Sequence, residues 1–362
     1  METRIVVVEG KAQEMGHVDS ESIDLIVTSP PYPMIEMWDG VFAAQDGEIG
    51  DCLNEGKGRE AFDLMHEVLD RAWAECYRVL KTGGLACINV GDATRKMGSD
   101  FRLYSNHSRI LTAFLDLGFA ALPDILWRKP SNAPTKFLGS GMLPAGAYVT
   151  YEHEYILVLR KGKRRNFTTP EEKRLRGESA YFWEERNVWF SDIWRDIQGR
   201  GQALAEEAER KRSAAFPFEL AYRLICMFSV SQDAVLDPFL GTGTTLVAAL
   251  ASGRNAVGME IDRRLVGTAY KAVRDARDFA NVYTMERLLR HMEFVRARTR
   301  NKGPLKYKSR HYGFPVMTSQ ERDILMRNVE KVVEEGEGAL RVVYGNGGQG
   351  KEEDAKLIAT RE

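Results

Sequence analysis

A turn with two glycines, set between an apolar run and a helical pattern, constrains the fold of this chain most. Residues 234–237 have the composition of a short buried strand, and Asp237-Pro238-Phe239-Leu240-Gly241-Thr242-Gly243 leads from it into an apolar helix at 243–252. A second strand pattern follows at 255–260 and a second helical pattern at 263–279. This order of strand, glycine turn, helix and strand predicts a βαβ unit, in which the two strands run parallel.

The same alternation of strands and helices extends through the first half of the chain. Strand patterns lie at 5–8, 23–27, 85–90, 120–128 and 154–160, and helical spacing of apolar residues lies at 61–80 and 107–117. Uninterrupted apolar strands are typical of a parallel sheet that is covered on both faces. We therefore expect an α/β protein with a Rossmann-like, mostly parallel mixed sheet and helices on both faces.

The composition is globular and limits the classes of partner. Of the 362 residues 44% are hydrophobic and 28% are charged, and the net charge of −1 means that any nucleic-acid surface must be a local patch. The four cysteines and six histidines show no zinc-type spacing, so we expect reduced thiols and no metal. The first residues lack a signal-peptide profile and no apolar run has the length of a membrane span, so we expect a cytoplasmic protein without a membrane partner.

The glycine turn predicts a site for a nucleotide-containing cofactor. Gly241 and Gly243 leave room for a ligand beside the backbone, and Thr244 or the next threonine can cap the helix, whose first amides attract a carboxylate. Glu260 ends the following strand, where an acid can accept both hydroxyls of a ribose, although an exposed strand-end acid is the alternative. Asp237 directly before the turn would repel a dinucleotide pyrophosphate and attract the ammonium of a methionine moiety. This favours S-adenosylmethionine over NAD.

The strand pattern at 23–27 ends in a second polar turn, Thr28-Ser29-Pro30-Pro31-Tyr32. The Ser29 hydroxyl and the Pro30 carbonyl can accept the two N–H bonds of an exocyclic amine, and thereby offset the positive charge that develops when the nitrogen is alkylated. Pro31 helps to fix the backbone, and Tyr32 offers a flat ring on which a flipped-out base can stack. An ordinary Pro-Pro turn with a buried tyrosine is the alternative interpretation.

With these motifs the chain resembles the DNA amino-methyltransferases that modify cytosine N4 or adenine N6. The catalytic motif precedes the cofactor motif, which is the order of the β class. Ser29-Pro30-Pro31-Tyr32 matches the serine form of the catalytic motif, which is commoner among the cytosine-N4 enzymes, and Asp237-Pro238-Phe239-Leu240-Gly241-Thr242-Gly243 matches the cofactor motif. The resemblance covers about residues 4–280 and implies the class I methyltransferase fold.

The resemblance adds further cofactor contacts. It assigns Phe239 to the cofactor motif and Phe218 to the helix that lines the methionine side. After Gly10 many relatives have an aspartate that contacts the cofactor adenine, whereas this chain has Lys11. The backbone amide of Ala12 is the expected substitute.

The resemblance also divides the chain. The expected parts are a catalytic half at 1–160, a small target-recognition insert at 161–214, a cofactor-binding half at 215–292, and a basic extension with a loose tail at 293–362. The tail is expected from about residue 334, where the chain is rich in Gly and Glu. Within the insert, a basic group is expected to contact DNA phosphates, with a solvated loop as the alternative; it consists of Lys161, Lys163, Arg164 and Arg165. Three tryptophans are expected to form the small core of the insert, namely Trp183, Trp189 and Trp194.

Three smaller segments have two interpretations each. The basic run at 296–310 is either a clamp on the duplex or a linker. The apolar stretch that begins at Met34 is either part of a lid over the active site or the anchor of a surface loop. Asn89 and Asp92 end a strand on the same side as the motifs, either facing the site or hydrogen-bonded within a loop.

The resemblance implies a sequence-specific, S-adenosylmethionine-dependent methyltransferase that modifies the N4 amine of a flipped-out cytosine in double-stranded DNA. A cognate restriction endonuclease is the expected functional partner, and a homodimer is an open alternative to a monomer. Adenine N6, an RNA amine and a catalytically silent DNA-binding module are the other hypotheses. The last hypothesis is disfavoured because the residues of both motifs are intact, namely Ser29, Tyr32, Asp237 and Glu260.

Overall fold

The computed structural model describes residues 1–98, 100–129, 138–197 and 216–345. The strands, in chain order, are β1 (Glu2–Glu9), β2 (Ile23–Thr28), β3 (Leu80–Val90), β4 (Ala93–Met97), β5 (Asp100–Tyr104), β6 (Phe119–Ala121), β7 (Ile125–Arg128), β8 (Leu138–Gly139), β9 (Ala147–Tyr148), β10 (His153–Lys161), β11 (Ile193–Trp194), β12 (Ala234–Asp237), β13 (Asn255–Glu260), β14 (Tyr307–Lys308), β15 (Pro315–Val316), β16 (Val329–Glu334) and β17 (Ala339–Tyr344). The helices are α1 (Asp39–Ala43), α2 (Gly47–Asn54), α3 (Gly58–Val79), α4 (Asn106–Asp116), α5 (Pro170–Glu178), α6 (Trp183–Trp189), α7 (Phe218–Phe228), α8 (Thr244–Ser252), α9 (Arg263–Arg274) and α10 (Arg277–Lys302).

Within the described residues, eleven strands form one mixed sheet in the order β11-β7-β10-β3-β2-β12-β13-β1-β17-β16, and β6 pairs with β10. The strands from β3 to β1 are parallel to one another. β10 and β17 flank this parallel group. β10 is antiparallel to β3, and β17 is antiparallel to β1. The expected α/β class with a largely parallel mixed sheet is confirmed.

Helices cover both faces of the sheet, as the continuous apolar strands predict. Leu25 and Val27 of β2 belong to the core on the face of α7 and α8, whereas Ile26 belongs to the core beneath α3 and α4. All six residues of β2 are buried. None of the helices in the described part of the chain combines the length and the apolar character that a membrane crossing needs.

The carboxyl ends of the parallel strands lie along one edge of the sheet, here called the carboxyl edge. β2 ends there at Thr28, β12 at Asp237 and β13 at Glu260. Strands β2 and β12 are neighbours, with Leu25 opposite Val235. The two polar turns, which are about two hundred residues apart in the chain, therefore meet at this edge, where ligands of open α/β sheets bind.

The expectation of a loose tail from residue 334 is wrong as far as residue 345. Strand β17 pairs antiparallel with β1, and β16 pairs with β17, so this hairpin extends the main sheet. Leu340 and Val342 are fully buried. The Gly- and Glu-rich composition belongs to the hairpin turn, where Gly336 and Gly338 adopt positive φ. The expected tail at 346–362 lies outside the described residues.

Candidate active site

The turn that follows β2 places Ser29 beside Tyr32. Ser29 Oγ lies 2.9 Å from the Tyr32 hydroxyl oxygen. Pro30 is buried, and Ser29, Pro31 and Tyr32 are half-buried, so the turn has one face against the protein and one towards solvent. The structure thus places the catalytic residues predicted from the sequence in one compact turn at the carboxyl edge.

Two side chains from neighbouring strands hold the Tyr32 hydroxyl. Asn89 of β3 donates to the Tyr32 oxygen at 3.0 Å, and the Tyr32 hydroxyl donates to Glu154 Oε2 at 3.1 Å. Asn89 also donates to Glu154 Oε2 at 2.7 Å, and Lys129 donates to Glu154 Oε1 at 2.7 Å. Of the two interpretations of Asn89, the structure favours the one in which it faces the site.

These partners determine the direction of the hydrogen bond between Ser29 and Tyr32. A phenol has one hydrogen to donate, and a carboxylate can only accept. Since Tyr32 donates to Glu154, Ser29 donates its hydroxyl hydrogen to Tyr32. The lone pairs of Ser29 Oγ can then accept hydrogen bonds from a ligand.

Tyr32 stays protonated in this environment. Burial raises the pKa of its phenol well above the ordinary value, and the negative charge of Glu154 raises it further, against the opposing hydrogen bonds from Ser29 and Asn89. The glycine at position 91 lets two side chains of the site approach the backbone closely, because a Cβ there would lie 3.1 Å from the Tyr32 ring and 3.3 Å from Glu154 Cγ.

Asp237 joins the two turns. Its Oδ1 accepts a hydrogen bond from Thr28 Oγ1 at 2.6 Å and another from the Phe239 amide at 3.1 Å. Its Oδ2 accepts from Thr245 Oγ1 at 2.6 Å. Burial raises the pKa of this carboxyl to about 6, although these hydrogen bonds favour its charged form. The last residue of β2, which precedes Ser29, is thereby tied to the cofactor motif.

Glu260 contacts the glycine turn directly. Its Oε2 accepts from the Gly241 amide at 2.8 Å and its Oε1 accepts from the Asp262 amide at 2.9 Å. Burial raises its pKa against these hydrogen bonds. Each carboxylate oxygen keeps a lone pair, so both hydroxyls of a ribose can be bound, which fits the nucleoside of S-adenosylmethionine.

The helix start differs in detail from the expectation. The residue that precedes the first turn of α8 is Gly243, with φ of 90°, and no side chain caps the helix there. Thr244 is buried, and the next threonine is bound to Asp237 instead. A Cβ at position 243 would lie 3.0 Å from Ala269 Cα, so both backbone conformation and space require glycine.

Three further residues are predicted to contact the cofactor, namely Phe239, Ala12 and Phe218, and they differ in how deeply they are buried. Phe239 is half-buried and its ring packs edge-on against Trp73 at 5.6 Å between centroids. Ala12 is 5% exposed and packs in the core on the α3 face. Phe218 is 1% exposed, and its ring contacts Phe279, so its side chain supports α7 from within the core.

The expected DNA contacts of Lys161 and Arg165 disagree with the structure. Lys161 is buried, and its Nζ donates to the carbonyls of Tyr77 at 2.8 Å and Leu80 at 2.7 Å. Arg165 pairs with Asp233 at 2.7 Å, directly before β12. These partners lie at the amino ends of the parallel strands, opposite the carboxyl edge. Both side chains therefore stabilise the fold, because desolvated cations need such partners.

The other two basic residues of the expected insert are exposed, and its three tryptophans differ in burial. Lys163 and Arg164 are exposed, and their contact with DNA stays a prediction. Trp189 and Trp194 are buried, as expected, but in the main core with Trp127 of β7 and not in a separate small core. Trp183 is 41% exposed and stacks on Phe294 at 5.8 Å. Residues 198–215 of the expected target-recognition region lie outside the described part of the chain.

The structure also bears on the apolar stretch that begins at Met34 and on Asp92, for which the sequence analysis gives two interpretations each. Met34 is 1% exposed and its amide contacts Met65 of α3, as expected for the anchor of a surface loop. Asp92 accepts from the His107 ring at 2.7 Å and from the Tyr151 hydroxyl at 3.1 Å. Burial raises the pKa of Asp92, but these hydrogen bonds outweigh it and leave the pKa below its ordinary value.

Sequence reasoning did not assign a role to Glu154. The signal was a single carboxylate near the start of a strand of the sheet interior, two residues before the buried apolar run at 156–159. A charged residue at such a position needs partners, and only the structure shows that these are Tyr32, Asn89 and Lys129.

Comparison with known proteins finds similarity to DNA methylases and to type II methyltransferases. The family model N6_N4_Mtase, described as DNA methylase, matches residues 23–271. The chain is 51% identical over 312 residues to the type II methyltransferase M.MthZI of Methanothermobacter thermautotrophicus, covering 86% of each protein. It is 49% identical over 270 residues to the type II methyltransferase M.MjaI of Methanocaldococcus jannaschii, covering 72% of this chain and 88% of that protein.

A solved structure is similar in both sequence and fold. It is that of TTHA0409 from Thermus thermophilus, described as a putative DNA modification methylase and complexed with S-adenosyl-L-methionine. The two share 32% identity with a TM-score of 0.58, over 75% of this chain and 95% of that one.

Proposed function

Because this chain belongs to the N6/N4 family of DNA methylases, we propose that it methylates the N4 amine of cytosine in duplex DNA as the methyltransferase of a restriction-modification system. S-adenosylmethionine is the cofactor and supplies the sulfonium methyl group. A restriction endonuclease with the same recognition site is the functional partner in this proposal, as the similarity to type II methyltransferases suggests.

The observation that carries the proposal is the acceptor state of Ser29 next to the cofactor motif. Ser29 donates to Tyr32 and keeps its lone pairs for an amine, and the neighbouring Thr28 is bonded to Asp237 at 2.6 Å. Asp237 and Glu260 are the proposed partners of the methionine ammonium and of the ribose. The Pro30 carbonyl accepts the second N–H bond, so that the amine nitrogen lone pair faces the methyl group.

Adenine N6 is the second candidate, since the same two acceptors suit either amine. The serine form of the catalytic motif supports cytosine, because that form is commoner among the cytosine-N4 enzymes that the chain resembles. Nothing in the acceptor geometry excludes the larger base. An amine of RNA is the third candidate substrate, but the similarity to DNA methylases argues against it.

The test is to incubate the protein with S-adenosylmethionine and duplex DNA, digest the DNA to nucleosides and separate them by liquid chromatography. We expect N4-methylcytosine in wild type and, within the same incubation time, far less of it with Ser29→Ala. N6-methyladenine without N4-methylcytosine would transfer the assignment to adenine. Methylation of RNA in place of duplex DNA would contradict the substrate class.

A further inference from the structure

We propose that Ser29, Tyr32 and Glu154 form a proton relay, in which the proton lost by the methylated amine ends on the Glu154 carboxylate. This inference rests on the proposed function, because it concerns the proton that amine methylation releases. It assigns a role to Glu154 that the two motifs do not supply.

The contacts form a continuous path. Ser29 Oγ lies 2.9 Å from the Tyr32 oxygen, and the Tyr32 hydroxyl lies 3.1 Å from Glu154 Oε2. Lys129 donates to the other oxygen, Oε1, at 2.7 Å, so Oε2 accepts from Tyr32 and Asn89. The side chain of Glu154 is 9% exposed, whereas that of Lys129 is 47% exposed, so the carboxyl group has a neighbour in contact with solvent.

The proton balance explains why such a path is useful. As the new N–CH₃ bond forms and the S–CH₃ bond breaks, the amine nitrogen becomes positive and must lose one proton. Ser29 Oγ accepts that proton and passes its own hydrogen to Tyr32, and Tyr32 passes its hydrogen to Glu154 Oε2. The products are the N-methylated base, the neutral thioether of the donor and a protonated Glu154, from which the proton later leaves to solvent.

The electrostatics of Tyr32 agree with a relay and not with a base. Burial and the Glu154 charge raise the pKa of the phenol, so Tyr32 is neutral and always has a hydrogen to pass on. Asn89 donates to the Tyr32 oxygen and to Glu154, which holds the phenol hydrogen towards Glu154. A serine hydroxyl, unlike a carboxylate, cannot retain an additional proton at neutral pH, so it needs an acceptor behind it.

The first part of the test uses single-turnover transfer of tritiated methyl from S-adenosylmethionine to duplex DNA. We expect Glu154→Gln, which keeps an acceptor for Tyr32 but takes up no proton, to lower the rate constant about 100-fold with unchanged KM for DNA. Tyr32→Phe should lower it similarly, and the double variant no further, because both changes interrupt one path. Glu152→Gln is the matched control; Glu152 pairs with exposed Arg128 at 2.9 Å and should leave the rate unchanged.

The second part separates proton transfer from positioning. In Glu154→Ala, added formate should restore the rate in proportion to its concentration, whereas formamide, which accepts a hydrogen bond but is not a base, should not. Equal rescue by both compounds, or a Glu154→Gln rate within about threefold of wild type, would overturn the relay. If Glu154→Ala does not fold, Glu154→Gln and Tyr32→Phe decide the question. A wild-type protein that transfers no methyl to DNA would contradict the proposed function itself, and the relay with it.

Discussion

Asp237 is a buried carboxyl whose pKa is raised to about 6, above the ordinary value of 3.8. Because the folded state binds the proton more tightly than the unfolded state, the contribution of this group to stability is fully present below pH 3.8 and is lost as the pH rises through about 6. Burial destabilises the charged form of Asp237, and in the proposed function this charged form attracts the methionine ammonium. We therefore expect stability and cofactor binding to have opposite pH dependence at this residue.

The affinity for S-adenosylmethionine is expected to rise about tenfold between pH 5 and pH 7, as Asp237 becomes ionised. In Asp237→Asn the affinity should be lower at pH 7 and nearly independent of pH in this window. Isothermal titration calorimetry without DNA measures both. If the variant keeps the full pH dependence, another group, such as Glu260, is the one that titrates.

Ser29→Ala removes the acceptor that faces the amine while leaving Asp237 and Glu260 in place. The single-turnover rate should fall about 10²- to 10³-fold, the usual effect of removing one preorganised hydrogen-bonding group from a transition state. Calorimetric affinity for S-adenosylmethionine should match wild type. A variant that methylates at the wild-type rate would show that the Pro30 carbonyl alone is sufficient.

Among the secondary-structure elements, the two strands around the cofactor motif match the sequence prediction, whereas the helical pattern at 263–279 is divided between α9 and α10. Strands β12 and β13 have the predicted bounds, because Asp237 and the positive-φ glycines mark where the first strand ends and the helix begins. The hairpin of β16 and β17 was missed, because its partner is β1 at the other end of the chain. The ion-pair and hydrogen-bond partners of Lys161 and Arg165 could not be predicted for a similar reason, since charge in sequence does not reveal a buried partner.

The turn before α8 depends on the conformation of Gly243. Gly243→Ala should lower the free energy of unfolding by about 1–3 kcal/mol, because the new Cβ is strained at positive φ and meets Ala269. Gly267→Ala, in helix α9 with open space around the added Cβ, is the control and should be neutral or stabilising. Urea denaturation monitored by circular dichroism compares the two, and equal effects would contradict the strain argument.

Lys161 links the end of α3 to strand β10. Lys161→Ala should lower stability by about 1–3 kcal/mol, since it removes the donor to two buried carbonyls. Its effect on DNA affinity and on the salt dependence of binding should be small. Lys163→Ala tests an exposed neighbour and should leave the melting temperature unchanged. A reduced salt slope for Lys161→Ala would restore its predicted role at the DNA backbone.

At the scale of the whole molecule, the sheet brings together segments from the entire described chain. Ser29 and Asp237 are close because β2 lies beside β12, a pairing that the sequence suggests only through the presence of both motifs. The contact between Tyr32 and Glu154 depends in addition on β10 being antiparallel to β3. Local sequence patterns predict the two motifs and the fold class. Only the long-range order of the strands shows that Glu154 also belongs to the site.

The C-terminal hairpin should be part of the cooperative fold. Leu340→Ala is expected to lower the free energy of unfolding by about 2–5 kcal/mol, because Leu340 is fully buried in the core. Lys331→Ala, at an exposed position of β16, should change it by less than about 0.5 kcal/mol. Denaturation curves that show a separate early transition for the hairpin would indicate instead that it unfolds on its own.

The position of β1 between β13 and β17 has a consequence for biosynthesis. Strand β1 is translated before both of its neighbours, and it finds them only after residues 255–260 and 339–343 have been made. Until then the nascent polypeptide carries β1 without its hydrogen-bonding partners, as expected for pairings of such large sequence separation. The complete sheet should therefore form only after residue 343 has been translated.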